Sequence, residues 1–502
     1  MNRNLYACFK SRFPADEHKP FILLADGKVL TYADLEQQTA KMAGTLVSLG
    51  ISKADRVAVQ VEKTPEAVIF YLACLRIGAI YLPLNTAYTP DELNYFIGDA
   101  MPGLLVCDPD KTEQLASIAS AHNVAHLLTL DGNGTGSLID HFHMAEAETR
   151  LAEVSKDDIA AILYTSGTTG RSKGAMLTHE NLASNATVLH SYWGWNSQDI
   201  LLHALPIFHV HGLFVAIHCV LMNGSAMWFC PKFDAREVID LLPRSTVLMG
   251  VPTFYTRLLE QDDFTKTSCQ NMRLFISGSA PLLEDTFVRF EQRTGMTILE
   301  RYGMTEAGMI TSNPLEGERI AGTVGFPLPG VSARLAKTTA PGETGVLEIR
   351  GPNVFKGYWN MPEKTAEEFT DDGYFITGDI ASLADDQRIS IVGRAKDLII
   401  TGGYNVYPKE IELLIDAIEG VRESAVIAAP HPDLGEAVVA VVVTREDHSL
   451  TEKTVLQSLE GQLARFKCPK KILFYKDLPR NTMGKVQKAL LRSECSLLFS
   501  KS

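Results

Sequence analysis

Tyr164-Thr-Ser-Gly-Thr-Thr-Gly-Arg-Ser-Lys-Gly174 follows directly on the apolar run Ile159 to Leu163. The apolar run reads as a buried strand. In the stretch behind it, Gly167, Gly170 and Gly174 let backbone N–H groups close around an anion, and Thr165, Ser166, Thr168 and Thr169 add hydroxyl donors. Lys173 supplies a point charge. A strand running into such a loop is phosphate-cradling chemistry. It is not the P-loop, whose lysine stands directly behind its last glycine, because Lys173 follows Gly170 by three and precedes Gly174. The plain alternative is a flexible connector.

Working outward, strands alternate with helices. Thr31 and Asp34 have the spacing of a capping box, and Leu35, Met42, Leu46 and Leu49 follow near helical spacing to Gly50. Val57 to Val61 reads as a strand, Thr64-Pro65-Glu66 opens a helix through Arg76, and Ala79 to Leu84 and Leu104 to Cys107 are further strands. This alternation predicts an α/β fold with largely parallel sheets. Near Ala340-Pro-Gly-Glu-Thr-Gly345 the pattern shifts to short strands and turns. After Gly393 a compact segment begins. Strand Leu398–Ile400, helix Pro408–Ile418, strands Ser424–Ala429 and Ala437–Thr444, helix Thr454–Ala464 and a basic tail are expected there. The predicted boundary lies at Lys396, dividing the chain into 1–395 and 396–502.

Length and composition agree. The 502 residues exceed what one core holds, and the hydrophobic share of 46% is ordinary for a soluble protein. A net charge of −13 argues against nucleic-acid binding. Eight cysteines without a C-x-x-C pair read as reduced thiols in a cytoplasmic protein. The segment Met1 to Pro14 carries Arg3, Lys10 and Arg12 and no apolar core, so no secretory signal is expected. Gly212 to Met222, interrupted by His218, is too short to span a membrane.

Five more strings fall in order behind the loop: Phe275-Ile-Ser-Gly-Ser-Ala-Pro281, Glu300-Arg-Tyr-Gly-Met-Thr-Glu306, Thr377-Gly-Asp379, Gly393-Arg-Ala-Lys-Asp397 and Pro479-Arg-Asn-Thr-Met-Gly-Lys485. Each alone is a turn or a solvated cation. Together, over nearly the whole chain, the set resembles the adenylate-forming superfamily of acyl-CoA synthetases, adenylation domains and luciferases. That resemblance implies a large N-terminal domain of parallel-sheet α/β subdomains plus a distorted barrel, and a small mobile α+β C-terminal domain.

The resemblance also implies roles. Thr165 to Gly170 and Lys173 would hold phosphates. Gly278 to Pro281, including Ser279, Ala280 and Pro281, and Glu300, Arg301 and Tyr302 would flank the adenine, with Gly303 and Met304 also in the nucleotide site. Thr305 would contact phosphate, and Glu306 would ligate Mg²⁺, a hard cation suited to one carboxylate and water. Asp379 and Arg394 would hold the ribose, Lys396 would be the hinge, Gly402 and Gly403 would line the coenzyme A tunnel, and Lys485 would be the catalytic lysine. The substrates implied are ATP, coenzyme A and a carboxylic acid. The chain departs from the common pattern in having Ser172 where a proline often precedes the lysine, with Arg171 adding a cation beside it.

The acid is read from His203-Ala-Leu-Pro-Ile-Phe-His-Val-His211 and Arg301. Arg301 stands where many relatives carry a small residue. A cationic pocket is costly for a fatty tail and suits a second carboxylate. Ser277, His209, His211, Arg301 and Arg171 are the candidate acyl-pocket residues, and the resemblance narrows to malonyl-CoA synthetases, acting on malonate or methylmalonate. An internal ion pair with a nearby acid such as Glu300 is the structural alternative for Arg301, and a zinc site is the alternative reading of the histidines. A short-chain or aryl acyl-CoA synthetase and a carrier-protein loading enzyme are the competing functions. A monomer or homodimer is expected.

Overall fold

The computed structural model describes residues 2–165, 172–336, 344–402, 404–445, 450–481 and 484–499. Contacts divide the chain into two compact units, Met1–Ser332 with Ile349–Phe375, and Ala333–Glu348 with Ile376–Ser502.

The first unit holds two large sheets. One has six strands in the order His126–Thr129, Leu104–Cys107, Arg56–Gln60, Ile80–Pro83, Ile159–Thr165, Lys173–Thr178. All neighbours are parallel except the last pair, which forms a hairpin. The strand expected before the phosphate loop is therefore present, as Ile159–Thr165. Phe96, Leu82, Leu105 and Ile162 form its core, and Phe96 stacks on Tyr164 at 4.3 Å. Burying each such side chain stabilises the unit by about 1.5–3 kcal/mol.

The other sheet has nine strands, with Ile200–His203, Val247–Gly250, Leu274–Ser277 and Ile298–Met304 parallel within it. The local signals hold. Thr31 and Asp34 form a reciprocal capping box on helix Tyr32–Ser48, and Thr64 caps Pro65–Ile77, which is buried along almost its whole length.

The sheet expected as a barrel has four strands, Ser332–Leu335, Thr344–Arg350, Phe375–Leu383 and Ile389–Arg394. Most of it falls in the second unit, so the units do not divide at Lys396. A swivel point is a property of backbone torsion and not of contact density, and this division leaves Lys396 a hinge candidate.

The rest of the second unit is built on a five-stranded sheet around Gly435–Thr444. One face of that strand, Val438, Ala440 and Val442, packs with Ile411, Ile415, Val455 and Leu459. The other face, Val439, Val441 and Val443, packs with Leu478 and Leu491. Burial on both faces is why the run is apolar without alternation. Two expectations need correction. The helix expected to run to Ala464 stops at Leu459, where Glu460 turns extended and Gly461 follows at φ +79°. The basic tail contains a strand, Lys471–Tyr475, parallel to Gly435–Thr444, and a helix, Lys488–Glu494.

Candidate active site

Ser166, Gly167, Thr168, Thr169, Gly170 and Arg171 lie outside the described residues, but the base of their hairpin does not. Thr165 pairs with Lys173 across it. The Tyr95 hydroxyl donates to the Ser172 carbonyl at 3.0 Å, Tyr164 to Asp99 at 2.6 Å, and the Trp359 amide to the Gly174 carbonyl at 2.8 Å. These bonds fix where the loop starts and ends.

Lys173 Nζ lies 2.6 Å from Glu368 Oε1 and 4.2 Å above the Tyr358 ring. The Tyr358 hydroxyl is 3.3 Å from both Glu306 Oε1 and Glu368 Oε2, and Thr165 Oγ1 is 3.4 Å from Glu306 Oε1. Burial, then the two carboxylates, push the Tyr358 phenol far up, so it remains a donor. Thr165, Lys173 and Glu306 are thus brought together as the sequence suggested, and half-buried Thr305 precedes Glu306 on the same turn. Glu368 and Tyr358 complete the cluster and were missed. No local signal marks a carboxylate 195 residues downstream of its lysine.

The strand Ile298–Met304 carries Arg301, the candidate acyl-pocket arginine. Successive side chains leave opposite faces of a strand, so Glu300 and Arg301 diverge. Glu300 Oε1 accepts from the Gly322 amide at 3.2 Å, and the Glu300–Arg301 ion pair considered from sequence is not formed. Arg301 is 3% exposed, and its Nε and Nη2 have no hydrogen-bond partner. Burial lowers its pKa to about 9, against an opposing contribution from Tyr255.

The guanidinium lies over Gly278, where a Cβ would come within 2.5 Å of its Cζ and Nη1. Two further polar atoms here are buried without partners, Ser277 Oγ and His211 Nε2, while His211 Nδ1 is 3.3 Å from Ser279 Oγ. Burial, followed by the Arg301, His209 and His203 charges, holds His211 well below its ordinary pKa, so the ring is neutral. His209 Nδ1 accepts from the His211 amide at 3.2 Å. A buried cation beside orphaned polar atoms is costly unless an anion meets it. Gly278→Ala should push the guanidinium aside and raise KM for a dianionic acid at least about tenfold, with KM for ATP changed far less. An unchanged acid KM would show that the arginine can shift freely.

Behind this pocket, Lys63 was not anticipated. Its buried ammonium donates to His203 Nδ1 at 2.7 Å, His203 O at 2.8 Å and Cys230 O at 2.6 Å, and burial lowers its pKa to about 7. His203 Nε2 lies 2.9 Å from the Gly212 carbonyl and must donate there, leaving Nδ1 as acceptor. Both ring nitrogens are used, which argues against the zinc alternative for this histidine. The relay instead ties down the turn into the π-helical stretch His211–Ile217.

In the second unit, Asp379 is buried within strand Phe375–Leu383, and Arg394 Nε lies 2.7 Å from its Oδ1. The string Thr377-Gly-Asp379, a turn when read alone, is part of this strand, with Gly378 at φ +70°. Lys396 is exposed on the short turn Ala395–Asp397. Gly402 has φ +56°, and Gly403 lies outside the described residues. Lys485 is exposed on a hairpin in which its amide donates to Asn481 Oδ1 at 2.9 Å.

The AMP-binding enzyme family model matches residues 11–359, and the model of that family's C-terminal domain matches 410–485. The chain belongs to the AMP-binding enzyme family. Most of the site residues described above fall within the matched segments, while Glu368, Asp379, Arg394, Lys396 and Gly402 lie between them. Among family members, the ATP-bound structure of MatB from Rhodopseudomonas palustris is 53% identical, covers 100% of both chains and has a TM-score of 0.97. The mitochondrial malonate–CoA ligase ACSF3 of Mus musculus is 36% identical over 90% of this chain and 84% of its own. A malonate–CoA ligase of Arabidopsis thaliana is 36% identical over 91% and 80%.

Proposed function

We propose that this chain is an AMP-forming malonate–CoA ligase, accepting malonate or methylmalonate. The observation that carries the acid is Arg301, a buried guanidinium with two unpaired N–H positions beside Ser277 and His211. The similarity to malonate–CoA ligases of mouse and Arabidopsis supports it.

One malonate carboxylate attacks the α-phosphorus of ATP, pyrophosphate leaves, and the coenzyme A thiol then displaces AMP from the acyl-adenylate. The free carboxylate is assigned to Arg301, with His209, His211 and Arg171 as further candidates for binding it. Binding the anion satisfies the guanidinium, so the pocket favours an acid that carries one.

Gly278 to Pro281 and Glu300 to Tyr302 are assigned to the adenine, Gly303 and Met304 to the nucleotide site, Thr165 to Gly170, Lys173 and Thr305 to the phosphates, and Asp379 and Arg394 to the ribose. The present Asp379–Arg394 pair holds both groups on one strand pair. Lys173 must then leave Glu368 for phosphate oxygens, exchanging one anionic partner for another.

Glu306 with the Thr165 hydroxyl fits Mg²⁺, since a single carboxylate leaves positions for water and phosphate oxygens. That ion would neutralise charge developing on the phosphates. Lys485 is assigned to the α-phosphate during adenylation, Lys396 to the hinge that removes it before thiol attack, and Gly402 and Gly403 to the pantetheine path.

No described helix is long and apolar enough to cross a membrane. Free thiols among the described residues agree with a reducing compartment, and we assign the cytoplasm.

Acid-dependent pyrophosphate exchange with malonate, methylmalonate, acetate and benzoate tests the reading. Malonate should exceed acetate and benzoate by at least about a hundredfold. Comparable rates on acetate would transfer the chain to short-chain synthetases.

A further inference from the structure

The catalytic hairpin of the second unit is pinned at several points. Arg480 and Val486 bridge across it, the Asn481 amide donates to the Lys485 carbonyl at 2.9 Å, and the Gln487 amide donates to the Pro479 carbonyl at 2.8 Å. Arg480 Nη1 donates to the Gly484 carbonyl at 2.5 Å, and its other nitrogen pairs with Glu423. Three residues after Lys485 the helix Lys488–Glu494 begins. At no more than about 3.6 Å per residue, that connection has little slack.

Lys488 and Arg492 stand four apart and share a face of this helix. Lys488 Nζ is 2.5 Å from Glu412 Oε1, which also accepts the Val426 amide at 2.8 Å. One turn on, Arg492 Nη1 is 2.8 Å from Asp397 Oδ1, and Asp397 is the neighbour of Lys396. Between them Leu491 is fully buried on the Val439, Val441 and Val443 face. One short helix therefore touches the hinge turn at one end and carries the lysine hairpin at the other.

We infer that the helix Lys488–Glu494 is a strut that couples the hinge turn at Lys396–Asp397 to the position of Lys485, with Arg492 and Lys488 as positioning residues. The Arg492–Asp397 pair is partly exposed and adds little to folding stability, so its loss should act through orientation, whereas Glu412 is buried and losing Lys488 also carries a folding cost, read separately by thermal melting. The strut rests on Lys485 serving adenylation, as proposed above. It makes the hinge setting and the lysine setting one mechanical variable, because the contact to Asp397 and the contact to Glu412 lie on one rigid element.

The test uses the full chain and measures two rates separately: malonate-dependent pyrophosphate exchange, and thioester formation from supplied malonyl-adenylate. Arg492→Ala and Lys488→Met should each lower exchange at least about tenfold and leave thioester formation within about twofold. Arg492→Lys should restore most of the exchange, and Asp397→Asn combined with Arg492→Ala should be no worse than the worse single change. A loss of solubility would lower both rates together. Equal losses in both half-reactions, or exchange within twofold of wild type, would overturn the strut. Lys485→Ala in the same assays separates the two layers. If it splits the half-reactions while Arg492→Ala does not, only the strut falls; if it does not split them, the assignment of Lys485 fails and the strut with it.

Discussion

Arg301→Ala should lower kcat/KM for malonate by at least about a hundredfold while acetate turnover stays level or rises slightly. Malonate differs from acetate by one carboxylate, and that group must shed water to enter the pocket. Arg301 is buried with Nε and Nη2 unpaired, so it is the cation positioned to receive it. Removing one partner of a buried pair typically costs about 3–5 kcal/mol, or roughly two to four decades in rate. KM for ATP should move much less. Acetate brings no second charge, so its transition state never used the guanidinium, and truncation relieves the unpaired buried cation. Initial rates on the two acids at saturating ATP and coenzyme A decide the matter. A uniform loss on both would show that Arg301 supports the strand Ile298–Met304 and the nucleotide, leaving the dicarboxylate reading to the histidines.

Lys485→Ala should abolish adenylation, by at least about two decades, and leave thioester formation from malonyl-adenylate largely intact. The lysine is exposed on a hairpin whose backbone is bonded at both of its own amide groups, so truncation removes charge without loosening the loop. In the proposed mechanism its charge is needed only while pyrophosphate departs, because the second step begins from a bond already activated. Stabilisation of a developing anion by one positioned donor is commonly worth about two to three decades. Comparable losses in both steps would remove Lys485 from its assigned role.

Much of this architecture was legible because its signals are local. The Thr31 and Asp34 box, Pro65 behind Thr64 and the apolar run before Thr165 each announce one element through neighbours in sequence, and each element is found there. The errors also have local causes. Thr377-Gly-Asp379 reads as a turn when taken alone but lies within a strand, and the helix expected to run to Ala464 ends where Glu460 turns extended ahead of Gly461. The strand Lys471–Tyr475 sat in a stretch read only as a basic tail.

At the candidate site, Ser277, His211 and Arg301 were legible as chemistry from their types and positions. Their support was not. Glu368, Tyr358 and Lys63 reach their partners across 195, 52 and 140 residues. Such pairings obey no periodicity, and only the fold brings them together.

The bare backbone at Gly278 also constrains how this pocket could have changed over generations. With Arg301 present, a methyl group at 278 would collide with the guanidinium. With Arg301 gone, the same methyl group would fill part of the space that was vacated. A lineage exchanging dicarboxylates for apolar acids can therefore change residue 301 first and residue 278 second. The opposite order passes through an ancestor with a displaced arginine and neither specificity. The return journey must run the steps backwards, clearing 278 before a guanidinium can be regained, so the pair behaves as a ratchet on substrate preference.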